Sequence, residues 1–324
     1  MGNAPKTKGT GLRKVLKIIG LILLAVIAIV IVVFQIISRL PSTPTDYQEK
    51  LETGGAVEAK YLKNGVYETA YYEAAAMMSF EKFEIYYPND MASMSKLPVV
   101  IFVNGTGTGG SKYAALQKHL ASWGFITVAT EEQNAWSGFS AEMSVRYLEL
   151  LNTYQEQDGK ENVFYGKIDM NKIGITGHSQ GGIGVINAIT DQKHADIYKA
   201  AVILSSTETD MAKAFMWDSD SSLINTNTMM IASTGDFDTA ISPLESMQKT
   251  YNNITNDVTK VLARRNDCDH GEMLYYADGY VTAWFMWQLQ GDEEAGRAFV
   301  GEEPDILKNP LYQDQELDGL RRDG

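Results

Sequence analysis

Three kinds of hydrophobic run divide the 324-residue chain. The first is continuous: from Ile18 to Ile37 the only clearly polar side chain is Gln35, a length of apolar helix that matches the roughly 30 Å of a bilayer's hydrocarbon. It predicts a transmembrane helix. The second kind is short and rich in β-branched residues, at 83–87, 97–103, 125–129, 172–176, 200–204, 229–233 and 258–263, and reads as strands. The third repeats at helical spacing between and after them, at 112–123, 140–157, 183–189, 243–251 and 281–289. Alternation of this kind predicts an α/β fold with a mostly parallel central sheet, helices on both faces, and functional groups at the carboxyl ends of the strands.

Charge orients the first run. Lys6, Lys8, Arg13, Lys14 and Lys17 precede it and only Arg39 follows closely, so the positive-inside bias keeps the N-terminus in the cytoplasm and places the chain beyond Ile37 on the far side of the membrane. The organisation predicted is a basic cytoplasmic N-terminus at 1–17, a signal anchor at 18–37, a polar tether with Pro41 and Pro44 at 38–56, and one domain at 57–324. The alternative, a cleaved signal peptide, has a shorter apolar core and a small-residue cleavage site, where this chain has Ser38-Arg39-Leu40-Pro41. The localisation predicted is a cell membrane, crossed once, with the domain extracytoplasmic.

The formal charge is −13, yet the first 40 residues hold six cations and no acid. The outer domain is therefore strongly acidic, which argues against nucleic acid as its partner. One cysteine, Cys268, allows no intrachain disulfide, and with only His119, His178, His194 and His270 a Cys/His metal centre is not expected.

Gly177-His178-Ser179-Gln180-Gly181 fits G-x-S-x-G, the sharp turn that lifts a serine hydroxyl above a sheet. A strand pattern leads into it and Gly182-Ile183-Gly184-Val185-Ile186 opens a helix after it, which is the context the motif requires. Ser179 needs a base, and only His194 and His270 come after it in the chain. His194 lies at the polar exit of a helix and reads as a solvated residue, whereas His270 lies in a turn-rich segment after the last strand and is the candidate base. The orienting acid belongs after an intervening strand, where Asp236 and Asp238 both qualify, with Glu208 and Asp210 as weaker positions. Two backbone donors for an oxyanion are assigned to Gln180, next to the nucleophile, and to Thr106 in the glycine-rich loop after residues 97–103.

With these segments in place the chain resembles the α/β-hydrolases, and within them the bacterial cutinase and polyester-hydrolase branch near the dienelactone hydrolases. The resemblance runs from about Phe83 to Val300 through the loop at 98–110, the elbow at 174–182, Gly235-Asp236-Phe237-Asp238-Thr239 ahead of Pro243, and Asp269-His270-Gly271. It implies that Asp238 is the acid. It also marks departures: Thr106 stands where those enzymes carry an aromatic residue, Gln180 and His178 stand where methionine and tryptophan occur, and Cys268 alone cannot form the family's C-terminal disulfide.

The function expected is a membrane-anchored serine hydrolase acting on small carboxylic esters, with catalytic Ser179, His270 and Asp238, an oxyanion hole at Thr106 and Gln180, substrate contacts at His178 and Trp217, and no cofactor or metal. Trp217 enters through the long connection at 207–227, whose Met211, Phe215 and Met216 suggest an apolar wall. The alternatives are a noncatalytic hydrolase-like binding protein and an acyltransferase using the same residues.

Overall fold

In the computed structural model, which describes residues 41–318 other than 158 and 256 and, ahead of them, Ile19 alone, nine strands share one sheet. They are β1 (Thr69–Ala75), β2 (Lys82–Pro88), β3 (Leu97–Val103), β4 (Ile126–Thr130), β5 (Ile168–His178), β6 (Tyr198–Leu204), β7 (Asn227–Ser233), β8 (Lys260–Arg265) and β9 (Tyr312–Asp318). Their spatial order is β1-β2-β4-β3-β5-β6-β7-β8-β9. The run from β4 to β8 is parallel, and antiparallel strands close both edges. From β3 the chain steps one way to β4 and later returns to the other side as β5. The strand order therefore reverses between β3 and β5, and a crevice opens at their carboxyl ends.

Alternation along the central strands explains why both faces are covered. Val100 and Phe102 of β3 enter one core with Leu116 and Leu120 of the helix α2 (Ala114–Ser122) and Tyr280 and Trp284 of α8 (Asp278–Phe285). Val99, Ile101 and Val103 enter the other, with Val145 and Leu148 of α3 (Phe139–Thr153), Val185 and Ile189 of α4 (Gln180–Thr190) and Met247 of α7 (Leu244–Asn253). Each such side chain taken fully out of water adds about 1.5–3 kcal/mol, so the sheet's position is set by both layers at once.

The expected helix at 18–37 lies outside the described residues, Ile19 excepted, as does the tail beyond 318. Among the described residues no helix is long and apolar enough to cross a membrane. Residues from Ser42 onward form one compact unit. The described part of the stretch expected as a tether is packed from Ser42 onward: Ser42 N–H donates to the Lys112 carbonyl at 3.1 Å, and Tyr47, in the short helix Tyr47–Lys50, is buried. The Tyr47 hydroxyl donates to Asp278, which also accepts His119 Nδ1 at 2.5 Å, while His119 Nε2 donates to the Lys63 carbonyl at 2.9 Å. Both ring nitrogens therefore carry protons. Burial alone would discharge the ring, but the Asp278 carboxylate outweighs it and raises the pKa of His119. Further on, α1 (Ala56–Tyr61) brings Glu58 to Asn309 and to the Tyr312 hydroxyl. Tyr47 and its buried partners thus fasten the segment where composition suggested a free linker, and Glu58 fastens the start of the domain that follows.

Candidate active site

The turn from β5 into α4 holds Ser179 at φ 59° and ψ −124°, a backbone state that residues with a side chain rarely adopt and that persists only where the surroundings impose it. Here glycines impose it. A Cβ at Gly177 would lie 2.3 Å from the Gly181 carbonyl oxygen, and one at Gly181 would lie 2.2 Å from the Val103 carbonyl oxygen. The turn is thereby pressed between its own helix and β3. Ser179 N–H donates to the Leu204 carbonyl at 3.0 Å, and among the described residues none hydrogen-bonds the Ser179 hydroxyl. Gln180 is the first residue of α4, so its N–H has no acceptor within the helix and faces out at the helix's positive end.

The loop after β3 is held almost amide by amide. Gly105 N–H donates to the Tyr113 hydroxyl at 3.0 Å, Gly107 N–H to the Gln133 carbonyl at 3.0 Å and Thr108 N–H to the Gly105 carbonyl at 3.1 Å. The Asn104 side chain braces the loop's start, donating to the Thr130 and Glu132 carbonyls at 2.6 and 2.8 Å. Of the four amides from 105 to 108, that of Thr106 alone makes no hydrogen bond among the described residues. A free, braced N–H is what an oxyanion donor requires.

His270 and Asp238 meet across the next two turns. His270 Nδ1 donates to Asp238 Oδ1 at 2.6 Å, which leaves the lone pair of a neutral ring on Nε2. The other carboxylate oxygen accepts from the Ser205 hydroxyl at 3.0 Å and from Ser233 N–H. Asp238 is 0 % exposed. Burial by itself would raise its pKa, but the bonds from His270, Ser233 and Ser205 together hold it below the ordinary carboxylate value. Asp236 and Asp238 lie in the first turn of the helix α6 (Asp236–Ile241), where residues two apart point about 200° from each other. Asp238 faces inward and Asp236 faces solvent.

The remaining candidates fall elsewhere. Glu208 caps the helix α5 (Thr209–Ala214), accepting from Asp210 N–H and Met211 N–H. His194, expected to be solvated, is paired with Glu142 at 3.0 Å. Cys268 is buried against Met273, and burial pushes its thiol up to about 12, so it fills space. Trp217 is half-buried and packs on exposed Phe215 with ring centroids 5.0 Å apart. Asn187 of α4 holds the next residue's carbonyl, that of Asp218, at 3.0 Å and the carbonyl of Trp136, in the loop at 131–138 ahead of α3, at 2.8 Å, so this loop and the connection at 207–227 both flank the elbow helix. His178, expected among the substrate contacts, is buried with Nε2 on the His270 carbonyl. The Gln180 side chain is also buried, bonded to Ala135 N–H and to Asn134 Oδ1.

Sequence reasoning missed Tyr113, Asn104, Ser205 and Phe237. Phe237 is 59 % exposed and stands edge-on to the His270 ring, centroids 5.5 Å apart. Its position between two candidate acids was the available signal. No group of three or more His, Cys, Asp or Glu residues suited to a metal ion occurs among the described residues.

A strained serine between a parallel strand and a helix, with an imidazole held by a buried carboxylate in later turns, is the pattern of the α/β hydrolases. The family model PETase, described as PET hydrolase-like, matches residues 50–307. The match takes in most of the chain, so this protein belongs to that family of ester-cleaving α/β hydrolases. Comparison with curated proteins gives no match.

Proposed function

We propose that the protein is a membrane-anchored, extracytoplasmic serine hydrolase that cleaves small carboxylic esters through an acyl-enzyme. The observation that carries the chemistry is the 2.6 Å bond from His270 Nδ1 to buried Asp238, which leaves Nε2 as the base for the strained Ser179. Ser179 Oγ attacks the ester carbonyl as Nε2 takes its proton, and the amides of Thr106 and Gln180 receive the negative oxygen. The imidazolium, stabilised by Asp238, returns the proton to the departing alcohol. Water repeats the sequence on the acyl-enzyme and frees the acid.

The substrate reading is a short acyl chain. Thr106 is exposed and small, and the side chains of Gln180 and His178 turn into the protein. These three positions therefore add little apolar surface for a long or aromatic acyl group. Against a panel of p-nitrophenyl esters, the full-length protein in detergent is expected to give a higher kcat/KM for acetate or butyrate than for any ester of twelve carbons or more. The reverse order would reject the short-acyl reading, and no turnover of any ester by folded protein would reject hydrolysis itself.

Anchoring rests on the apolar run at 18–37 and the five cations before it. Protease added outside intact cells is expected to digest or release the domain. Protection that lasts until lysis would reverse the orientation.

A further inference from the structure

The residue ahead of the nucleophile makes a bond that neither substrate binding nor the reaction uses. His178 is 7 % exposed, its Nε2 lies 2.7 Å from the main-chain oxygen of His270, and the two rings stand 4.5 Å apart. A carbonyl only accepts, so Nε2 is the protonated nitrogen of His178. Burial, with His270 alongside, pushes the ring's pKa down to about 3, so it stays neutral and keeps this donor fixed.

Asp269 ties the base turn to the acid turn. Asp269 Oδ1 accepts His270 N–H at 2.8 Å and Asp238 N–H at 3.2 Å, and Asp269 N–H donates to Glu272 at 2.9 Å. None of these bonds reaches β5 or the turn that carries Ser179. Among the described residues, the bond from His178 is the only hydrogen bond between the elbow at 177–182 and the base turn at 266–272. It joins the residue preceding the nucleophile to the main chain of the base, so a change in its length moves one relative to the other. Misplacement of reacting groups by about 1 Å costs on the order of 100-fold in rate.

We infer that His178 is a positioning residue, whose Nε2–H clamps the His270 carbonyl and so sets the distance between Ser179 and the imidazole. This rests on the reading of Ser179 and His270 as nucleophile and base.

The test compares His178→Phe, which keeps a ring and loses the donor, with His178→Gln, which keeps a donor on a flexible arm. Both are measured as full-length protein in detergent at matched folded fraction, by kcat and KM on p-nitrophenyl butyrate and by the rate at which a fluorophosphonate labels Ser179. The phenylalanine variant is expected to lose about 30- to 100-fold in kcat and in labelling rate with KM within twofold of the parent. The glutamine variant should recover at least tenfold of that loss. A raised KM with kcat intact would make His178 a substrate contact instead. Equal impairment of both variants, or none in either, would show that the hydrogen bond does not position the base. Should His178→Phe not fold, His178→Asn, whose donor is too short to reach, takes its place against glutamine. Loss of the underlying reading looks different: Ser179→Ala would then keep its activity.

Discussion

Ser179→Ala is expected to lower turnover of a short p-nitrophenyl ester by about five to six orders of magnitude, because no later part of the sequence proceeds without the acyl bond. The single cysteine supplies no substitute for Ser179. Cys268 is buried with its thiol pushed up to about 12, so it holds almost no thiolate near neutrality. The same substitution should erase fluorophosphonate labelling, which on the parent enzyme is expected at one serine per chain. Removing the side chain should leave the fold almost unaltered, since the Ser179 hydroxyl has no partner among the described residues. Stability of the variant, read from thermal unfolding, separates a lost nucleophile from a lost structure. Labelling that persists in the alanine variant would move the nucleophile elsewhere, and an unlabelled, inactive parent would favour a binding protein built on a hydrolase fold.

Asp238→Asn should cost about four orders of magnitude in kcat, because an amide presented to His270 Nδ1 favours the wrong tautomer and no longer stabilises the imidazolium. The change is close to isosteric, so folded protein should still accumulate. Asp236→Asn supplies the comparison. Its carboxylate faces solvent in the first turn of α6, where its interaction with the helix end is worth about 0.3–1 kcal/mol. Its kcat should stay within twofold. Turnover of the two variants at equal folded fraction decides between them: a severe loss confined to Asp236→Asn would transfer the role of the acid, and mild losses in both would dissolve the dyad.

Two residues apart, these aspartates could not be separated by chemistry or by strand order; only the resemblance favoured one. The reason lies in the backbone. Extended or helical, the turn sends alternate residues to opposite sides, and which side is inside depends on where β7 ends against β6 and β8. The central strands were legible because they are covered on both faces and each carries a run of mostly buried, largely hydrophobic residues. The edge strands were not. β1, Thr-Ala-Tyr-Tyr-Glu-Ala-Ala, and β9, Tyr-Gln-Asp-Gln-Glu-Leu-Asp, each pair on one side only and leave much of their surface to water, so polar residues are tolerated there. Motif and strand context gave Ser179 and His270 as candidates without coordinates. The supports of the site were hidden for a different reason: Tyr113 acts on a glycine amide eight residues away and His178 on a carbonyl 92 residues away, and main-chain partners leave no trace in residue identity.

The N-terminal fastening also decides where this protein can be shortened. The family match opens at residue 50, three positions after Tyr47. A recombinant piece trimmed to that boundary would lose the phenol that Asp278 holds, leaving a buried carboxylate and imidazolium with a vacated aromatic site beside them. Such a group left short of a partner costs about 1–3 kcal/mol, before the lost packing of the ring is added. The natural edge for expression and crystallisation is therefore Ser42, ahead of Thr43, the first buried residue among those described.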